Sequence, residues 1–332
     1  MPIQTAADSI SNSAGSPYGF KNRIINGAIT IDQRLNGSGN TLVTATETFV
    51  VDRFVAYKDG GVITSGQSTI APAGFTNSIS WSVGTGYSAT SGQYTFLKYH
   101  IEGYNVGDLG FGTSDAKTVT LSFWVRASVT GTYSGTLGNV SLNRSYPWTY
   151  TINSANTWEY KTITVPGDTT GTWAKDNTTG LRIYWDLGTG SGSRGTAGSW
   201  QATTLVGATG TTSISATTGA TFYITGIQLE KGSQATAFDY RPYSTELQLC
   251  KRYYRIAKWR WQGQSAGLGQ GQGWTWVFDP EMRTTPSITT SNFTNGSSFN
   301  LAGPQGGDTM GMYAQGDGNG TVILYTAANA EF

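Results

Sequence analysis

A single cysteine, Cys250, excludes an internal disulfide, so this chain must be stabilised by packing or by assembly, and synthesis in a reducing cytoplasm suits it. A single histidine, His100, removes most acid–base and metal chemistry at once: a structural zinc site needs four Cys or His ligands, and a Ser-His-Asp triad needs a held imidazole. Charge is scarce as well. Only 12% of residues are charged and the formal net charge is +1, far from the dense cation array that displaces counterions from nucleic acid. No apolar run approaches the roughly 20 residues that cross a bilayer, and Met1–Ser16 has neither a basic start nor an apolar core of a secretion signal. Nucleic acid and a membrane span are excluded as expectations, and no cofactor or metal is expected.

What is present is glycine, hydroxyls and aromatic rings. The 332 residues include 45 Gly, 11 Trp, 18 Tyr and 13 Phe, and 37% are hydrophobic, enough for real cores joined by many tight turns. In Val119-Thr120-Leu121-Ser122-Phe123-Trp124-Val125-Arg126-Ala127, apolar residues alternate with Thr120, Ser122, Trp124 and Arg126, the period of a strand with one face in a core. Leu97, Tyr99 and Ile101 oppose Lys98, His100 and Glu102 in the same way, and Leu181, Ile183, Trp185 and Leu187 oppose Arg182, Tyr184 and Asp186. Both segments read as half-buried strands, with His100 exposed. In Phe222–Leu229 the apolar phase slips by one at Gly226, which a β-bulge would repair. Residues 188–198 and 206–219 read as mobile Gly/Ser/Thr loops.

The expected architecture is all-β: an N-terminal arm over 1–20, a jelly-roll-like β-sandwich over 21–243, then a short helix and a smaller C-terminal β domain over 244–332. The helix is expected at 245–253, with Thr245 and Gln248 at capping-box spacing and Cys250 turned inward as a small hydrophobe. Strand candidates follow around 254–261, 274–278, 287–290, 299–302, 310–314 and 321–326.

Catalytic signals are thin. Twenty acidic residues permit a glycosidase pair, yet no two are placed for it by the sequence. Gly267–Gly273 lacks the lysine of a phosphate loop and reads as a hairpin loop; Gly316–Gly320 carries one carboxylate and reads as a turn rather than a calcium site. Tryptophan is the better lead. Trp259 and Trp261 share one strand face, Trp274 and Trp276 another, and a hairpin through residues 262–273 would gather four indoles, with Tyr313 and Asn319 as neighbours. The alternative for these rings is the core of the small domain.

Several short runs, in order, carry a resemblance: Arg23-Ile24-Ile25-Asn26-Gly27, Val51-Asp52-Arg53-Phe54, Ile101-Glu102-Gly103, Val119–Ala127, Gln228-Leu229-Glu230 and Ala237-Phe238-Asp239-Tyr240-Arg241-Pro242-Tyr243. Together they resemble a module of tailed-bacteriophage tail-fibre and other virion appendage proteins, with a carbohydrate-binding-module-like sandwich. The run Glu246–Tyr254 is similar to that family's junction to a variable C-terminal domain. The resemblance implies a structural virion component made in the host cytoplasm, a homotrimer docked to neighbouring virion proteins through its arm. It implies host-surface glycan attachment and no catalytic residues. A capsid or tail decoration or joint protein without receptor binding is the alternative, and a polysaccharide-degrading enzyme is a third reading.

Overall fold

The computed structural model describes the backbone of residues 21–332 except 38, 142, 265–270, 292–298, 305–308 and 316–318, and side chains outside those and outside 258–276 and 290–326. The N-terminal arm therefore lies outside the described residues. The chain divides between Arg241 and Pro242 into two compact units.

The first unit is a jelly-roll-like sandwich of two six-stranded antiparallel sheets. In chain order its strands are β1 (Asn40–Leu42), β2 (Thr48–Val51), β3 (Phe54–Lys58), β4 (Val62–Ser68), β5 (Ser78–Thr85), β6 (Thr95–Glu102), β7 (Val119–Ala127), β8 (Gly131–Gly138), β9 (Ser145–Ile152), β10 (Glu159–Val165), β11 (Thr179–Asp186), β12 (Arg194–Gly195), β13 (Gly207–Ala208) and β14 (Thr221–Lys231). The first sheet runs β1-β4-β5-β14-β7-β10 and the second β2-β3-β6-β11-β8-β9, while β12 and β13 form a small parallel pair.

The alternation in Val119–Ala127 does what its period dictates. Val119, Leu121, Phe123, Val125 and Ala127 all point into the core at zero exposure. There they meet Trp81 and Phe222 of their own sheet and Tyr133, Trp148 and Trp185 of the other. Phe123 alone packs edge-on against Tyr150 and Trp185 at 5.2 and 6.1 Å. Burying each such side chain contributes roughly 1.5–3 kcal/mol. The β14 phase slip is a bulge as expected: its register against β7 shifts between Thr225 and Gln228, and Gly226 takes φ +60°.

Three expectations need correction. β6 is buried along its whole length, not half-buried, and His100 is only 7% exposed. β11 is likewise buried at every position but Arg182. Both are central strands, and at one end of their outward face Val206 packs on Phe96 and Tyr184. The 188–198 and 206–219 segments are pinned, not free. Asp186 Oδ1 accepts the backbone N–H of Gly188 and Thr189 at 3.0 and 2.8 Å, its Oδ2 accepts Arg194 Nε at 2.7 Å, and Ile214 and Ser215 are buried.

The second unit begins with α1 (Tyr243–Lys251), two residues before the expected start. Pro242 sets the boundary: its fixed φ suits the position and its carbonyl accepts the Glu246 N–H at 3.0 Å, while no side chain caps the helix, so the Thr245–Gln248 box is unused. Cys250 is fully buried. Then come β15 (Tyr254–Gln264), β16 (Gly271–Val277), β17 (Ser287–Ser291), β18 (Phe299–Pro304), β19 (Thr309–Gln315) and β20 (Asn319–Asn329), in two three-stranded sheets ordered β15-β20-β17 and β16-β19-β18. Phe278, Met282, Ala328 and Ala330 form its described core.

Candidate functional site

The expected tryptophan hairpin does not form. β15, with Trp259 and Trp261, pairs along its whole length with β20, from Tyr254 opposite Asn329 to Gln264 opposite Asn319. β16, with Trp274 and Trp276, pairs with β19 in the other small sheet, where Gly273 faces Tyr313 and Trp274 faces Met312. β20 matches the 11 residues of β15 one for one, while the 7 residues of β16 are matched one for one by β19. The side chains of Trp259, Trp261, Trp274, Trp276, Tyr313 and Asn319 lie outside the described residues, as do the centres of the 262–273 and 316–320 loops. Among the described residues no cluster of three or more His, Cys, Asp or Glu is disposed to hold a metal ion.

The sandwich itself carries an aromatic surface. On the outward side of the first sheet, Tyr160 of β10 stands directly opposite Trp124 of β7, with ring centroids 5.3 Å apart and planes tilted by 48°. Tyr160 is 42% exposed and Trp124 half-buried. In the next row Tyr223 of β14 faces Arg126 of β7, whose guanidinium lies 5.3 Å from the Tyr223 ring centroid. Trp158, one residue before β10, stands 6.4 Å from the same ring. Past the bulge, Phe75, Phe238 and Tyr240 form a second group with centroids 4.7–5.4 Å apart, and Tyr240 is 56% exposed.

This surface is held firmly. Arg126 Nε donates to the Asn156 carbonyl at 2.8 Å, and Asn156 in turn donates its N–H to Ala127 at 2.7 Å. The Glu159 carboxylate gathers the N–H groups of Asn153 and Ser154, the Asn153 amide and Lys161 Nζ, all between 2.6 and 2.9 Å. Burial pushes Glu159 upward, but the Lys161 ammonium and these N–H donors prevail and hold its carboxyl at about 2. Rings fixed on a sheet lose little freedom when a ligand stacks on them. The sequence signal for this face was Trp124, a large aromatic in the polar phase of a strand.

The outward side of the second sheet differs in kind. Successive cross-strand rows place Val55, Lys98, Tyr184 and Thr136 side by side, then His100, Arg182 and Gly138. Lys98 is 3% exposed and its Nζ pairs with the Glu47 carboxylate. Burial, the larger cause, and the Arg182 charge lower the Lys98 pKa, against the Glu47 hydrogen bond. Tyr184, buried, is pushed up to about 12. His100 Nδ1 lies 3.0 Å from the Thr179 hydroxyl, so it is a packed residue in a polar row.

No family model and no curated protein sequence matches the chain. Among solved structures it is similar to the enzymatically active domain of tailspike protein 4 of bacteriophage CBA120, at 17% identity and TM-score 0.33 over 65% of this chain and 22% of that one. It is also similar to a family 61 carbohydrate-binding module in complex with β-1,4-galactotriose, at 8% identity and TM-score 0.32 over 64% of this chain and 99% of that one. A third is the family 11 carbohydrate-binding module of a cellulosomal cellulase of Clostridium thermocellum, at 15% identity and TM-score 0.28 over 59% and 97%. The chain thus spans less than a quarter of the length of the tailspike chain it matches.

Proposed function

We propose that the chain is an attachment protein of a virion appendage that binds host-surface glycans without catalysis, and that its sandwich contacts sugar through the Trp124–Tyr160 face. The observation that carries the reading is the pair of rings on neighbouring strands, tilted to one another and partly open, beside Arg126 and Tyr223 on a face that elsewhere carries mostly small polar side chains such as Ser78, Ser80, Thr120 and Ser122. Such rings present flat area to the apolar face of a pyranose, and the flanking Tyr223 hydroxyl and Arg126 guanidinium supply hydrogen-bonding groups. The virion assignment is supported by the ordered sequence runs, and with it go the homotrimer and an arm that docks to neighbouring virion proteins. Trp259, Trp261, Trp274, Trp276, Tyr313 and Asn319 remain proposed contacts of the C-terminal unit, now divided between two sheets.

Each stacked ring contributes about 1 kcal/mol, so a single site is weak and three copies supply avidity. Affinity electrophoresis through polysaccharide-containing gels tests this. The wild-type protein should be retarded, Tyr160→Ala should run faster in the same gel, and its thermal midpoint should stay close to that of wild type. Retardation unchanged by Tyr160→Ala and by Trp124→Ala would remove this face. Release of oligosaccharide during the run would replace binding with hydrolysis.

A further inference from the structure

We infer that the two groups of rings on the outward side of the first sheet are one continuous strip, with Phe75 and Tyr240 as its second half, and that it takes an internal stretch of a linear polysaccharide rather than a terminal sugar. The inference rests on the glycan-binding reading of the Trp124–Tyr160 face and extends that site to the segments before β5 and after β14.

The join lies at Gly226. A Cβ at that position would stand 2.6 Å from Phe75 Cζ and 3.1 Å from Trp124 Cδ1, so the two rings approach one another over the glycine of the bulge. From Trp124 the strip continues to Tyr160 at 5.3 Å, and from Phe75 to Tyr240 at 5.4 Å with the planes tilted by 36°. Phe238 stands edge-on to both Phe75 and Tyr240, at 75° and 69°, and braces them from the side. Both ends are open, Tyr160 at 42% and Tyr240 at 56% exposure, with Trp124 and Phe75 half-buried between them.

The second half is fixed in place as firmly as the first. The Tyr240 hydroxyl donates to the Gly74 carbonyl at 2.6 Å, and Thr225 Oγ1 donates to the Asn77 carbonyl at 2.7 Å, tying the loop that carries Phe75 to β14. Before Tyr240, the Asp239 N–H donates to Gln228 Oε1 at 2.8 Å; after it, Arg241 donates to the Ile24 carbonyl at 3.0 Å. Neither segment has to be ordered when a ligand arrives.

A terminal sugar is recognised by polar groups that converge around it in a concave site. Here ring follows ring along a surface, each able to meet one sugar of a chain. Tyr160 lies on β10, the edge strand of the sheet, so a chain laid along the strip runs on past it without meeting a wall.

The test is calorimetric titration of the full chain with linear galacto-, gluco-, manno- and xylo-oligosaccharides, each as a series from disaccharide to hexasaccharide. At least one series should bind, with affinity rising along it. Tyr240→Ala should weaken the hexasaccharide roughly fivefold, the worth of one stacked ring, and leave a disaccharide held at Trp124 and Tyr160 unchanged. Tyr240→Phe keeps the ring while losing the bond to Gly74, and should bind as wild type does. Affinity that is flat along the series, or a hexasaccharide indifferent to Tyr240→Ala, would overturn the inference while loss of binding in Tyr160→Ala left the Trp124–Tyr160 reading standing. Equal losses in Tyr240→Phe and Tyr240→Ala would overturn it too, by showing that the loop anchor and not the ring matters. Failure of every series to bind, or binding indifferent to Tyr160→Ala, would remove the aromatic face and the strip together.

Discussion

Asp186 joins the sandwich to the segment that follows it. Its carboxylate, wholly buried, accepts from Gly188, Thr189, Arg194 and the Ser134 hydroxyl, and Gly207 approaches so closely that a Cβ there would lie 2.2 Å from Oδ2. Removing one partner of a buried ion pair strands the other, so Asp186→Ala should lower stability by about 3–5 kcal/mol, read as a fall in the thermal midpoint. The strand phase marks Asp186 only as polar; its partner Arg194 stands in what reads as a mobile loop, and no local pattern links the two. The resemblance runs have a comparable basis. Asn26, buried at φ +63°, donates to the carbonyls of Ile31 and Asp52, and the half-buried Asp239 and Arg241 hold the backbone of residues 21–24, so residues of these runs act as backbone clamps. Trp124 was visible as a ring in a polar phase, but Tyr160 and Tyr223 become its neighbours only through the β10-β7-β14 pairing.

Strand identity was largely readable because period-2 alternation is local, and the bulge at Gly226 was readable for the same reason. Gly226→Ala combines a left-handed φ with a Cβ 2.6 Å from the Phe75 ring, so it should cost about 1–3 kcal/mol and disturb Trp124, whose Cδ1 is 3.1 Å from that Cβ. Denaturant midpoints and Trp fluorescence check both effects. Which strands pair was not readable: in place of the hairpin through 262–273, β15 pairs with β20 and β16 with β19, partners far along the chain that no local pattern marks. The turn before β10 carries a pH signature. Glu159 falls from 4.5 to about 2 on folding, so its contribution is full above 4.5 and is lost as pH falls through about 2. Glu159→Gln should flatten the decline of the thermal midpoint across that window, by no more than about 1 kcal/mol, because the group is near solvent.

At the scale of the molecule, a chain with a single cysteine, and with proposed glycan contacts that are each weak, would gain from association. Light scattering of the full-length protein should give a trimer, and a stable monomer at micromolar concentration would contradict that. Deleting residues 1–18 should leave thermal unfolding nearly unchanged while abolishing incorporation into particles. The most direct measurement is of the indole N–H resonances during titration with a bound neutral oligosaccharide. Trp124 and Trp158, on the outward face, should shift in proportion to occupancy, while the core residues Trp81, Trp148 and Trp185 stay in place. Shifts that leave Trp124 and Trp158 unmoved while the ligand binds would contradict the placement of the glycan site on the sandwich.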